Sequence, residues 1–225
     1  MKAFLLTISL IFSMLLFSSF VNGQDGSTGK ITGKITYNGT VKAQTIKAEG
    51  CGTVSDESIM VSKNGGLANV FVHITANVPV SSQRSTGKAT IQVKDCQMSP
   101  RVVGVMVGQS VNFKNSDGIL YNVHGLPKVN KGFNIGMPPT VTKRTSSFSS
   151  PEGPFQVKCD VHPLAFSYVA VMTHPYFAVT DGEGRFSIGN LPDGNYEIEA
   201  WHEKLGVRKG KVVVKGGTAD LSLRY

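Results

Sequence analysis

Thr180-Asp181-Gly182-Glu183-Gly184-Arg185-Phe186-Ser187-Ile188, followed closely by Leu191-Pro192-Asp193-Gly194-Asn195-Tyr196-Glu197-Ile198, reads as turn, strand, turn, strand. In each tract Gly next to an acidic or amide residue supplies the backbone freedom of a tight turn, and the residues that follow alternate apolar and polar. A strand with one buried face requires that period of two, because successive side chains leave opposite sides of the backbone. The same pattern runs outward. Residues 30–37 alternate and end in Asn38-Gly39, a pair that favours a hairpin. Gly65-Gly66 precedes residues 67–74, which place Val70, Val72 and Ile74 on one face and Phe71 and His73 on the other. Residues 89–93, 102–107, 110–113, 155–159, 167–172, 212–214 and 221–223 supply further strands. Helical periodicity is nearly absent, so the chain is expected to be all-β, a sandwich or a pair of them. Residues 125–154, with five prolines and four glycines, are expected to form a long irregular loop, where binding sites tend to be built.

The chain has 225 residues and is 40% hydrophobic, enough for one large domain or two small ones. Met1-Lys2, the apolar residues 3–20 and the compact Val21-Asn22-Gly23 have the form of a secretory signal, with a mature start expected at Gln24. An uncleaved anchor is the alternative, and no later segment is suited to crossing a membrane. Export places the protein in the periplasm or outside the cell, where thiols pair or are held by a metal. Three cysteines cannot all pair. Bridging Cys51 to Cys96 leaves Cys159 over, whereas pairing Cys159 leaves one of the others buried alone.

Lys and Arg outnumber Asp and Glu by 23 to 15, a net charge of +8. The charges are scattered, with no basic run interleaved with aromatics, which together with export argues against nucleic acid. Lys128, Lys131, Lys143, Arg144 and Lys158 bracket the His-bearing loops. They form either a solvated face or a docking surface for a redox partner with an acidic surface.

Val157-Lys158-Cys159-Asp160-Val161-His162-Pro163 places a thiol and an imidazole three residues apart, and Tyr121-Asn122-Val123-His124 supplies a second His upstream. Soft transition metals, copper above all, prefer these donors. No Gly-x-Ser-x-Gly elbow, His-Glu-x-x-His tract or phosphate loop is present, so an enzyme is not expected.

These motifs carry a resemblance. Residues 87–174 resemble cupredoxins, the plastocyanin-like copper sandwiches with Greek-key strands. Val107-Gly108-Gln109-Ser110-Val111-Asn112-Phe113-Lys114-Asn115-Ser116-Asp117 looks like their approach to the first ligand loop, and Cys159-Asp160-Val161-His162-Pro163 looks like the second. The flanks resemble carboxypeptidase-regulatory-like, transthyretin-type sandwich modules. The whole is similar to secreted bacterial proteins labelled methylamine-utilisation or plastocyanin-like, which share the His174 to Asp181 and Trp201-His202-Glu203 tracts. The resemblance implies a signal at 1–23, first strands of the regulatory-like sandwich at 24–86, a cupredoxin-like domain at 87–174, and the remainder of that sandwich at 175–225.

It also implies one copper ion bound by His, Cys and His with a weak axial Met. Cys159 matches the thiolate and His162 the second imidazole, but Tyr121 stands at the first His and Ala165 at the axial Met. His124 is expected to replace the missing imidazole if the strand bends near Gly118 and Gly125, and Tyr121 is a candidate phenolate ligand. The function so implied is electron transfer or copper handling. The alternative is a non-catalytic binding or structural module whose metal site has degenerated. His73 is expected at a surface or interface, Trp201 in the flanking core, and His174 and His202 either in a second metal site or bonded to backbone.

Overall fold

The computed structural model describes residues 28–42, 44–48, 50–82 and 87–225. The expected signal and the start at Gln24 lie outside the described residues. The chain begins with β1 (Gly29–Thr36), a hairpin of β2 (Thr45–Ala48) and β3 (Gly52–Ser55), and β4 (Phe71–Ala76). A central run follows: β5 (Ala89–Lys94), β6 (Gln97–Ser99), β7 (Val102–Met106), β8 (Ser110–Asn115), β9 (Tyr121–Gly125), β10 (Phe133–Met137), β11 (Lys143–Ser147), β12 (Glu152–Lys158) and β13 (Phe166–Met172). The last strands are β14 (Phe177–Val179), β15 (Arg185–Leu191), β16 (Gly194–His202), β17 (Gly206–Val214), β18 (Thr218–Asp220) and β19 (Leu223–Arg224). The described residues contain strands and no helix, and none of their segments is a helix long and apolar enough to cross a membrane.

Two pairs of sheets face one another. In the first pair, β15-β1-β18 with β19 at its edge packs on β14-β4-β16-β17. Between them Ile31, Ile35, Phe186, Ile188 and Leu191 meet Val72, Ile74, Ile198, Ala200, Val212 and Val214. In the second pair, β10-β9-β12-β13-β7 packs on β11-β8-β5-β6. There Tyr121, Val123, Val157, Val169 and Val171 meet Ile91, Val93, Val111 and Phe113. Each fully buried aliphatic or aromatic side chain in these layers contributes about 1.5–3 kcal/mol.

Local chemistry explains the strand ends. Asp181 Oδ1 accepts the N–H groups of Glu183 and Arg185, at 2.9 and 2.8 Å, and closes the turn before β15. Gly184 has φ +75°, and a Cβ there would lie 2.3 Å from the Ile35 carbonyl oxygen, so only Gly fits against β1. Within β15, Asn190 adopts φ +57° and the pairing with β1 shifts register, which turns Leu191 into the core beside Ile188.

Two expectations are corrected. Residues 125–154 are not an irregular loop, since β10, β11 and the start of β12 lie within them. The prolines mark the turns: Pro138-Pro139 separates β10 from β11, and Pro154 sits where β12 shifts register against β13. Trp201 does not belong to the flanking core. It joins Phe71, Val102, Ala170 and Phe177 in a smaller cluster between the two sheet pairs, with the Tyr168 ring 5.0 Å away. Arg101 and Glu203 cross the same junction as a buried two-pronged ion pair, with N···O distances of 2.6 and 3.0 Å, and the Arg101 guanidinium lies 3.6 Å over the Phe166 ring.

Candidate metal centre

β9 and β12 run antiparallel, with Lys158 opposite His124, and part just beyond that pair. Where they part, Asn122 takes over the ladder. Its Oδ1 accepts the Asp160 N–H at 2.7 Å and lies 3.2 Å from the Cys159 thiol, while its backbone N–H points at Cys159 Sγ from 3.5 Å. Residues 159–165 then form a tight loop closed by Cys159 N–H to the Ala165 carbonyl and Ala165 N–H to the His162 carbonyl, at 2.8 and 2.9 Å. This loop turns His162 back over Cys159.

Sγ of Cys159 and Nδ1 of His162 lie 3.7 Å apart, both buried. That is shorter than the combined length of a metal–sulfur and a metal–nitrogen bond, about 4.3 Å for a zinc-like ion. One ion can therefore touch both. The thiol is unpaired, because Cys51 and Cys96 form the disulfide and Cys159 is free.

The other expected ligands are not brought to this pair. Tyr121 is fully buried and its ring packs 4.6 Å from that of His162, but its hydroxyl turns away to donate to Asp117 Oδ2 at 2.6 Å. Burial first, then the Asp117 carboxylate, pushes the phenol well above its ordinary pKa, so Tyr121 remains a protonated donor and not a phenolate. Asp117 also accepts the N–H groups of Asp95 and Cys96, at 2.8 and 3.1 Å. Burial favours its acid form, but these three donors outweigh that and hold it below the usual carboxylate range.

His124 sits on the opposite face of a regular strand. Its Nδ1 contacts Asp160 Oδ1 and Oδ2 at 3.0 and 2.9 Å, and Lys158 Nζ is 3.0 Å from the same carboxylate. The His124 bond, ahead of those from Lys158 and Asn122, lowers the Asp160 pKa strongly. The expected bend does not occur because β9 pairs with β10 from Tyr121 to Gly125 and with β12 at His124 and Gly125. Gly125 has another cause: a Cβ there would lie 2.1 Å from the Phe133 ring. Ala165 is buried and offers no donor, and Met137 is a buried core residue paired with Tyr121 across β10 and β9.

The donor set thus fits a soft ion at two positions, Cys159 and His162, and departs from a four-donor copper centre at the rest. The sequence reading also left out the β2–β3 hairpin, which carries Cys51 to this place. Sγ of Cys51, Sγ of Cys96 and a ring nitrogen of His162 all lie within 4.8 Å of one another. His174 and His202 take the backbone role: their Nδ1 atoms accept N–H groups of Tyr176 and Lys204, each at 3.2 Å.

No family model and no curated protein matches the chain. Among solved structures it is similar to a purple cupredoxin from Nitrosopumilus maritimus, with 22% identity over 37% of this chain and 99% of that one and a TM-score of 0.32. It is similar to an amicyanin variant in the Cu(I) state, with 20% identity over 45% of this chain and 98% of that one and a TM-score of 0.34. A copper-containing nitrite reductase from Thermus scotoductus gives 19% identity over 42% of this chain and a TM-score of 0.35, and only 25% of that enzyme is spanned.

Proposed function

We propose that this is an exported, non-catalytic copper-binding protein that holds one ion between Cys159 and His162 and serves copper handling. The observation that carries the reading is the 3.7 Å approach of a free, buried thiol to His162 Nδ1, with the Asn122 N–H directed at the sulfur. A thiolate selects soft ions, and Cu(I) accepts low coordination numbers where Cu(II) does not. Copper bound there supplies affinity for a thiolate and an imidazole. The chain's own contribution is to fix both donors: Asn122 holds the sulfur, and the bonds closing residues 159–165 hold the imidazole.

A site with two donors leaves positions open, and ligand exchange at those positions suits transfer of the ion better than fast electron transfer. The exposed Lys128, Lys131, Lys143 and Arg144 lie on the β9 to β11 segment and favour a partner with an acidic surface. The apolar start of the chain supports export to the periplasm or beyond.

The second reading, a sandwich module with a degenerate site, is favoured by Ala165 and by the Tyr121–Asp117 bond, which occupy the remaining donor positions without offering a ligand. Anaerobic loading of the purified protein with Cu(I), followed by gel filtration and copper analysis, separates the two. Copper handling predicts one ion per chain, with the disulfide intact, and none retained by Cys159→Ser. Equal retention by both proteins, or none by either, favours the module.

A further inference from the structure

The Cys51–Cys96 disulfide lies beside His162. Gly50, next to Cys51, faces His162 Nε2, with its Cβ position 3.9 Å from that atom, while Nδ1 faces Cys159. Both disulfide sulfurs are within 4.8 Å of a His162 ring nitrogen. A cavity of about 470 Å³ opens onto the bridge and is lined by Cys51 and Cys96 together with the acidic Glu57, Asp95 and Asp117. A negatively lined opening draws cations and admits a small dithiol.

We infer that this disulfide is the closed state of a second soft-metal site, and that its reduction frees Cys51 and Cys96 to bind Cu(I) together with His162. The inference rests on the copper-handling reading for the identity of the ion. A dithiol reductant supplies two electrons and two protons. Its own sulfurs join in a disulfide as the Cys51–Cys96 bond breaks into two thiols. Binding of Cu(I) then displaces both thiol protons to solvent and leaves two thiolates on the ion.

Both cysteines are held in place by contacts that do not involve the bridge. Cys96 sits in a turn where Asp95 and Cys96 both adopt left-handed backbone, with φ of +51° and +57°. The Asp117 carboxylate pins that turn through both N–H groups, and Tyr121 pins Asp117 in its turn. Cys51 is fixed by four registered pairs between β2 and β3, by Gln97 Nε2 donating to the Ser55 carbonyl at 3.0 Å, and by Val54 buried in the neighbouring core. Reduction therefore leaves two thiols beside His162 and does not scatter them.

The test uses the Cys159→Ser protein, so that the Cys159–His162 pair is already broken. It is treated with a dithiol, freed of reductant anaerobically, and titrated with Cu(I) against a chromogenic Cu(I) chelator. The expected result is no uptake before reduction and one copper per chain after it, absent when both Cys51→Ser and Cys96→Ser are added. In the reduced protein His162→Ala should lower the Cu(I) affinity at least tenfold. An unfolded chain that merely exposes two thiols does not respond to His162, so that variant separates a built site from thiols in solution. No reduction-dependent uptake, or uptake indifferent to His162→Ala, overturns the inference. Failure of Cys159 to bind copper in the untreated protein leaves this result unchanged, so the two claims fail separately.

Discussion

Tyr121 Oη donates to Asp117 Oδ2 at 2.6 Å, and this bond turns away from the candidate site the hydroxyl of the side chain that the sequence resemblance sets at the first His position. The ring remains beside His162, 4.6 Å between centroids, while the only polar atom it has is turned toward a carboxylate. Restoring an imidazole with Tyr121→His is expected to complete a set of two imidazoles and a thiolate. The Cu(II)-loaded variant should then show a strong thiolate-to-copper band in the visible region that the parent lacks. Asp117 keeps its two backbone donors, so the stability cost should be about 1–2 kcal/mol. A variant that folds, takes up copper and shows no such band contradicts this placement of residue 121.

His124 points away from Cys159 and is engaged by Asp160. His124→Ala should therefore leave Cu(I) affinity, read by chelator competition, within twofold of the parent. Both partners are partly exposed, and breaking such a pair should leave the urea melt little changed. A tenfold loss of copper affinity would place His124 among the ligands.

The Arg101–Glu203 pair joins the two sheet pairs with both side chains almost fully enclosed, 7% and 2% exposed. Removing one charge strands the other. Glu203→Gln is expected to destabilise by about 3–5 kcal/mol, whereas the apolar double replacement Arg101→Met with Glu203→Leu should lose much less. Equal losses in urea unfolding would mean that the charges themselves, and not their mutual enclosure, hold the junction.

Acid should weaken the fold in two separate windows. Burial first, then the Arg101 charge, lowers His202 to about 4 from 6.5, and burial likewise lowers His174 and His73, the latter against the opposing pull of Glu199. A folded pKa below the unfolded one means that the unfolded chain binds more protons. This contribution is complete above pH 6.5 and drains away as pH falls toward 4. Unfolding free energy should thus drop by on the order of 2 kcal/mol between pH 7 and pH 5, before the carboxylates begin to protonate. The lowered carboxylates, Asp117 and Glu152 among them, act in the same direction only at lower pH. Flat stability between pH 7 and pH 5, followed by one acid transition, contradicts the histidine share.

The strands were legible wherever one face is buried and the other wet. β15 up to Ile188 and β16 alternate in sequence as they do in burial, and the turn before β15 is written in Asp181 and Gly184. The β2–β3 hairpin left no such trace, because its described side chains are mostly exposed and only Val54 and the half-buried Cys51 reach a core. Proline and glycine content misled at 125–154, where breakers punctuate short strands instead of abolishing them. At the site, the Cys159–His162 pair could be read because three residues in one loop fix it locally. Tyr121 and His124 could not, since their fates depend on Asp117 and Asp160, partners supplied by a neighbouring loop and by the ligand loop. The pairing of Cys51 with Cys96, across 45 residues, was one of two open possibilities.

X-ray absorption at the copper edge, on protein loaded with one Cu(I) while the Cys51–Cys96 bond is intact, tests the central claim most directly. The account predicts one sulfur at a thiolate distance and at least one imidazole nitrogen per copper, with the sulfur signal lost in Cys159→Ser. A spectrum fitted by nitrogen and oxygen alone, or a sulfur signal that survives Cys159→Ser, contradicts it.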